Sequence, residues 1–328
     1  MKLIAATSLL ILSVFFSNTS PQVDSFTTGN PPPNRHWGVV SNLESDSIAS
    51  EAGNLKIGWI RLALFWNQIE ISKGVFDWTV PDIEINRATQ KRLNVYVTIT
   101  GTPGWANGQK PDSAPPRYKQ DWVDFVRTVV TRYRYTHGVR AYGMWNEPNL
   151  KKFWTGTRSE YVNKILIPGA HAVKTLKPSL LAGGPEMSHH WVDQNDWKLA
   201  DILASGAEID VITQHVYQDV SINPDGFARF LDTKIKPVRG NRPVWITECG
   251  LTACRPSSEV LQGLYTLYLL QAQTQRADWF TKIFPYRLWD PVNSCDSGNG
   301  YGLTFGEPIR RRQSYFAYQN YIRTNTPR

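Results

Sequence analysis

The sequence predicts an α/β fold built as one (β/α)8 TIM barrel, and three observations predict it. Eight short apolar runs recur between His36 and Asp290. Longer stretches of helical period separate them. No Gly-rich nucleotide loop follows the first run, so an open doubly wound sheet is the weaker reading.

In order, the runs are HWGVVS (36–41), KIGWIRLALF (56–65), NVYVTITG (94–101), VRAYGMWNEP (139–148), LLAGGP (180–185), DVITQHVY (210–217), PVWITECG (243–250) and KIFPYRLWD (282–290). Each is bounded by Gly, Pro or polar residues, the pattern of a parallel strand buried on both faces. Between them, DWVDFVRTVVTRYRYTHG (121–138) sets Trp122, Phe125, Val129 and Tyr133 on one helical face, with His137-Gly138 as its stop. EVLQGLYTLYLLQAQTQ (259–275) is expected to run Leu261, Leu264, Tyr265, Tyr268 and Ala272 down its buried side. The helix around 43–54 has the weakest pattern.

Residues 1–20, MKLIAATSLLILSVFFSNTS, read as a secretory signal: Lys2 supplies the charged start, and Leu3–Phe16 the apolar stretch, slightly short for a membrane span. A retained N-terminal anchor is the alternative. Residues 21–35 read as a flexible, proline-containing leader, and 36–328 as the catalytic barrel. The expectation is a secreted or periplasmic protein, a monomer, with no membrane contact after signal removal.

The chain has 328 residues and a net charge of +8, with its basic residues scattered apart from Arg310-Arg311-Arg312. No basic stripe interleaved with aromatics suggests nucleic acid. A solvated face and an acidic polysaccharide partner both remain open. Thirteen tryptophans are many; some fill the core, and others are candidates to stack on the apolar C–H faces of a sugar. Cys249, Cys254 and Cys295, like His36 and the pair His189-His190, lack zinc-site spacing, so no metal and no cofactor is expected.

In such barrels chemistry sits where strands end and the next loops begin. Glu147 closes the fourth run and Glu248 the seventh. They stand about three βα units apart, so both face one mouth. Two carboxyl groups across a cleft suit glycoside hydrolysis, one giving a proton and the other attacking or activating water. Trp145 and Pro148 flank Glu147 with low polarity, which favours its neutral, proton-bearing form. A salt-bridged strand end is the plain alternative for either residue alone. No GxSxG elbow points to an esterase, and a glycan-binding barrel that had lost catalysis would lack one of the two acids.

WNEPNLKKFW, followed by LLAGGPE, DVITQHVY and WITECG, resembles the clan A retaining glycoside hydrolases. The resemblance is greatest to glycoside hydrolase family 39, which includes β-xylosidases and α-L-iduronidases, here in a single-barrel form over residues 36–325. It implies Glu147 as acid/base and Glu248 as nucleophile. It further implies Asn146 on the sugar 2-OH, Arg61 and Tyr217 beside the nucleophile, His215 paired with Tyr217 on one strand, and Trp289 as the floor of the sugar site. Trp66, Trp105 and Trp154 are candidates for outer subsites, equally for core packing. Glu186, after the fifth strand, is expected to be a solvated loop acid, with substrate contact as the alternative, and Cys249 small apolar packing. Cys254 and Cys295, on loops after adjacent strands, are expected to pair. The chain stops soon after its eighth helix, without the extra β-sandwich of many family xylosidases. Exo-xylosidase action and endo-cleavage of an exopolysaccharide or cell-wall polymer both stay open.

Overall fold

The computed structural model describes residues 36–189, 197–217, 225–254, 258–292 and 300–326. Eight parallel strands form one sheet: β1 Gly38–Val40, β2 Trp59–Phe65, β3 Asn94–Thr100, β4 Val139–Met144, β5 Leu181–Ser188, β6 Val211–Val216, β7 Val244–Cys249 and β8 Phe280–Pro285. Each pairs with its sequence neighbour. The barrel closes through bridges from Trp37 to Ile283 and from Val40 to Tyr286. All eight expected runs form strands, though the fourth stops at Met144 and the eighth at Pro285. Trp289–Asp290 belongs instead to a small sheet with Thr304–Phe305 and Arg310–Arg311.

The outer helices are α1 Asp46–Leu55, α2 Thr79–Gln90, α3 Lys119–Tyr133, α4 Ile167–Leu176, α5 Leu199–Leu203, α6 Gly226–Phe230, α7 Glu259–Thr274 and α8 Gln313–Asn325. The weakly patterned α1 starts on a cap, with Ser45 Oγ accepting from Ile48 N at 3.2 Å. Its α3 counterpart buries Trp122, Phe125, Val129 and Tyr133 as expected. It stops at Tyr133, and the chain turns back into β4 through Gly138, whose φ of 95° and approach to Leu93 O exclude a side chain.

Helix α7 departs from its expected face. Leu261 and Leu264 are 48% and 58% exposed, while Gln262 and Gln273 are buried. The buried amides hydrogen-bond: Gln262 donates to the carbonyls of Gly300 and Tyr301, and Gln273 accepts from Trp37 Nε1 and donates to Phe280 O. Apolar periodicity cannot see a face whose burial is carried by satisfied amides.

Inside the barrel, the lower layer is a dry plug of Trp59, Tyr96, Ala141, Val211, Trp245 and Phe284. Above it the inward positions turn polar: Arg61 two residues after Trp59, Thr98 after Tyr96, Thr247 after Trp245. The period of two carries both layers on the same strands. Charge is therefore set on a rigid aromatic base, near the strand C-termini.

Candidate active site

Two register irregularities build the site. Pro185 faces Thr213 while Met187 faces Gln214, which leaves Glu186 as an extra residue in β5. Gln214 faces Ile246 while His215 faces Glu248, which leaves Thr247 as an extra residue in β7. A bulge re-aims side chains that strict alternation would turn away. Both Thr247 and Glu248 consequently reach inward: Thr247 Oγ1 donates to Glu186 Oε2 at 3.1 Å, and Glu248 meets Arg61.

Glu248 is held by two donors. Arg61 Nη1 donates to Oε1 at 2.6 Å, and Tyr217 Oη donates to Oε2 at 2.7 Å. Burial works against its charge, but His215, Arg61 and the Tyr217 bond outweigh it and hold the carboxyl below the usual range. Burial likewise opposes the charge on Arg61, and Glu248 and Glu186 overcome it, raising the guanidinium further. Arg61 is itself fixed, with Nε donating to Thr98 Oγ1 at 2.8 Å and Nη2 to Asn146 Oδ1 at 3.0 Å. Burial, then Glu248, push the Tyr217 hydroxyl well above the ordinary phenol value, so it stays a donor.

Glu147 lies beyond β4, on a loop rather than at the strand end expected for it. The chain there takes positive φ at Trp145 (83°) and Glu147 (43°), and Glu186 has φ 57°. Three of the six non-glycine residues with positive φ among those described thus cluster at this mouth. The loop is tied down by Glu147 N donating to Glu186 O at 2.9 Å.

The partner of the Glu147 carboxyl is also not the one expected. Trp145 packs edge-to-face against Trp122 and Trp154 and donates its Nε1 to Phe153 O. Instead, His215 Nδ1 lies 2.9 Å from Glu147 Oε1. His215 is fully buried, and its Nε2 lies 3.0 Å from Glu186 Oε2. Burial disfavours the imidazolium, but Glu248 and the bonds to Glu147 and Glu186 push its pKa up to about 9. With both ring nitrogens protonated, each donates to a carboxyl oxygen. Carboxyl oxygens of Glu147 and Glu248 and a His215 nitrogen all lie within 4.8 Å of one another. Both ring nitrogens of His215 face carboxyl oxygens at hydrogen-bond distance, so this trio suits proton transfer.

Glu186 overturns the expectation of a solvated loop acid, since it is 0% exposed. It enters the barrel because residue 143 is glycine. A Cβ there would stand 2.2 Å from Tyr96 Oη and 2.7 Å from Glu186 Oε1. Its position at the end of the fifth strand was a sequence signal; the bulge that turns it inward was not.

A cavity of about 610 Å³ opens above these groups, lined among others by Arg61, Asn146, Glu147, Glu248, Tyr286 and Trp289. Trp289 is half-buried, its Nε1 donating to Gly306 O at 3.2 Å. Asp290 anchors it, accepting from Arg312, Arg287 and the backbone of Gly300 and Gly302. The structure thus brings all seven sequence-named site residues to one mouth. Trp66, Trp105 and Trp154 do not line the cavity. Trp66 and Trp154 are buried and bonded to Glu70 and Thr157 O, and Trp105 donates to Glu70 O. His36 sits before β1, at the opposite end of the barrel, bonded to Thr281 O. Cys249 is a buried free thiol, Cys254 takes part in a disulfide, and Cys295, its expected partner, lies outside the described residues.

Residues 93–225, which carry Asn146, Glu147, Glu186, His215 and Tyr217, match the family model of glycosyl hydrolases family 39. Over those residues the chain is similar to glycoside hydrolase family 39. It is 29% identical over 117 residues to a β-xylosidase of Geobacillus stearothermophilus, covering 33% of this chain and 22% of that one. It is 33% identical over 117 residues to a β-xylosidase of Caldicellulosiruptor saccharolyticus, covering 33% and 23%. The matched stretch spans less than a quarter of either curated relative. The fold of the barrel is similar to that of a family 39 enzyme from Xanthomonas axonopodis pv. citri, with a TM-score of 0.70 and 21% identity over 91% of this chain and 67% of the other.

Proposed function

We propose that this barrel belongs to glycoside hydrolase family 39 and is a glycosidase that cleaves glycosidic bonds with retention, by double displacement. One observation carries the reading: carboxyl oxygens of Glu147 and Glu248 face each other within 4.8 Å, each with a different set of partners. Retaining enzymes set their two carboxyls about 5–5.5 Å apart, against about 6.5–9.5 Å for inverting ones. Glu248, charged and gripped by Arg61 and Tyr217, attacks the anomeric carbon and forms a glycosyl-enzyme. Glu147 gives its proton to the leaving oxygen, then takes one from the water that releases the sugar. Asn146 spends Oδ1 on Arg61, which leaves its Nδ2 for a sugar hydroxyl. Trp289 offers the sugar a flat wall.

The sequence supports export through residues 1–20, and the barrel acts as a monomer. No helix among the described residues is long and apolar enough to cross a membrane.

β-Xylosides are the first substrates to test, because both curated relatives carry that name. The full chain is screened against aryl β-D-xylosides, other aryl glycosides and intact polysaccharides, with product sizes read by mass and the first-formed anomer by proton NMR. Release of the retained anomer supports the reading, and the inverted anomer defeats it. Single sugars mean exo action; oligosaccharides from a polymer, with aryl glycosides untouched, mean an endo-acting cleft.

A further inference from the structure

Glu186 has no part in the two-carboxylate scheme, yet it is the most enclosed acid of the site. Its Oε2 meets three groups: His215 Nε2 at 3.0 Å, Thr247 Oγ1 at 3.1 Å and Arg61 Nη2 at 3.4 Å. An acid buried to this degree costs free energy unless its charge is used. The structure puts it there deliberately, through a bulge that inserts it, a positive φ that aims it, and a glycine opposite that makes room.

We infer that Glu186 is a positioning residue for proton transfer, acting through His215 on Glu147 as the distal carboxylate of a Glu147–His215–Glu186 chain. The inference rests on the glycosidase reading for its reaction, though not for its geometry. Bonding to Nε2 fixes the ring so that Nδ1 meets Glu147 Oε1. Glu147 then keeps its other oxygen for the glycosidic bond. Among the described residues Oε2 of Glu147 takes no hydrogen bond, as a proton-delivering atom requires.

Charge explains why an acid stands there rather than an amide. The groups facing His215 are Arg61 from β2, Glu147 after β4, Glu186 on β5, Tyr217 after β6 and Glu248 on β7, with Tyr96 of β3 against Glu186. Arg61 and His215 are positive; Glu248 and Glu186 are negative. With all four charged, the cluster is neutral when Glu147 carries its proton. Replace Glu186 by a neutral group, and the imidazolium loses its compensating charge, so His215 gives up a proton at lower pH and the ring no longer fixes Glu147 through two donated bonds. That disables the acid. With Glu186 in place, the proton leaves Glu147 for the departing oxygen while both imidazole protons stay put. Glu147 regains a proton from the attacking water.

The test reads His215 directly, then the reaction. Nitrogen-15 NMR of the full chain follows both ring nitrogens of His215 against pH, assigned by their loss in His215→Asn. The expected wild-type ring keeps both protons through about pH 8. In Glu186→Gln, half-deprotonation is expected at a pH lower by about one unit or more, where proton activity is about tenfold higher. A ring already neutral at pH 7 in the wild type, or an unchanged midpoint in Glu186→Gln, overturns the inference. The wild-type arm stands even where the variant does not fold, and Glu186→Asp, which keeps the charge, is expected to restore the midpoint.

Kinetics use phenyl and 2,4-dinitrophenyl β-D-xyloside as probes. Phenolate needs protonation to leave and dinitrophenolate does not. Glu186→Gln is expected to lower kcat/KM about 100-fold on the first and less than about 5-fold on the second. An equal fall on both places the effect on Arg61 or on the fold and overturns the inference. A wild type that cleaves neither probe defeats the β-xyloside reading alone, and the NMR arm still decides the role of Glu186.

Discussion

Arg61 and Glu248 lie 187 residues apart in sequence and meet at 2.6 Å, Nη1 to Oε1, at the top of the barrel. The guanidinium lines up Thr98, Asn146 and Glu248 from three different strands or strand ends. It orients Asn146 and holds Glu248 ionised at once. Arg61→Ala is therefore expected to lower kcat about 100-fold or more, with a smaller change in KM. Arg61→Lys is expected to recover little, because a point charge cannot reproduce the fork that reaches Thr98, Asn146 and Glu248 together. Steady-state kinetics on an aryl glycoside check this, and a loss confined to KM would contradict it.

Removal of the proton donor has a distinct signature. Glu147→Ala is expected to slow poorly activated aryl glycosides by about 10²–10⁴-fold while sparing formation of the glycosyl-enzyme from activated ones. Added azide, a nucleophile that needs no base, is expected to restore turnover of the activated substrate as the retained glycosyl azide. An inverted azide product would move Glu147 out of the acid/base role.

Stability is expected to fall in alkali. The His215 pKa is raised from 6.5 to about 9 in the fold, so its contribution is complete below about pH 6.5 and is lost as pH rises through about 9. The amount is on the order of 3 kcal/mol. Glu84, pushed up to about 7 by burial, adds its own loss between about 4.5 and 7. The His215 part is accordingly read above pH 7. Glu248 runs the other way: its carboxyl is held low, so its contribution is present above about 4.5 and lost in acid. Urea midpoints at pH 7 and pH 9 measure the effect, and equal midpoints would contradict it.

The floor of the cavity depends on a pair remote from the chemistry. Asp290 and Arg312 are 0% and 1% exposed and meet at 2.8 Å. Asp290→Ala is expected to cost about 3–5 kcal/mol, because it leaves the Arg312 charge buried without that carboxylate. KM is expected to rise as Trp289 loses its anchor. Thermal unfolding and substrate titration test the two parts.

Much of this was legible in the sequence because barrels repeat one unit. Apolar runs locate the strands, and the rule that loops after strands carry chemistry selects Glu147 and Glu248 without coordinates. Three things were hidden. The bulges at Glu186 and Thr247 change which side chains face inward, and a bulge leaves no mark on an apolar run. The buried amides of α7 rotate its inner face away from Leu261 and Leu264, because hydrogen bonds to Gly300, Tyr301 and Phe280 can replace apolar burial. The polar neighbour of Glu147 is hidden because the loop's positive φ values turn Trp145 edge-to-face onto Trp154 and present the acid to His215. Two are backbone events and one is side-chain hydrogen bonding, and all three lie outside the reach of composition and period.

The central claim is that Glu248 attacks and Glu147 assists. Trapping tests it most directly. The full chain is incubated with 2,4-dinitrophenyl 2-deoxy-2-fluoro-β-D-xyloside, or the matching fluoro-sugar of whichever glycoside it turns over, then digested and sequenced by mass spectrometry. One covalent sugar is expected, attached to the peptide containing Glu248, on that side chain. A label on another residue, or continued inverting turnover of a good substrate with no adduct, would contradict it.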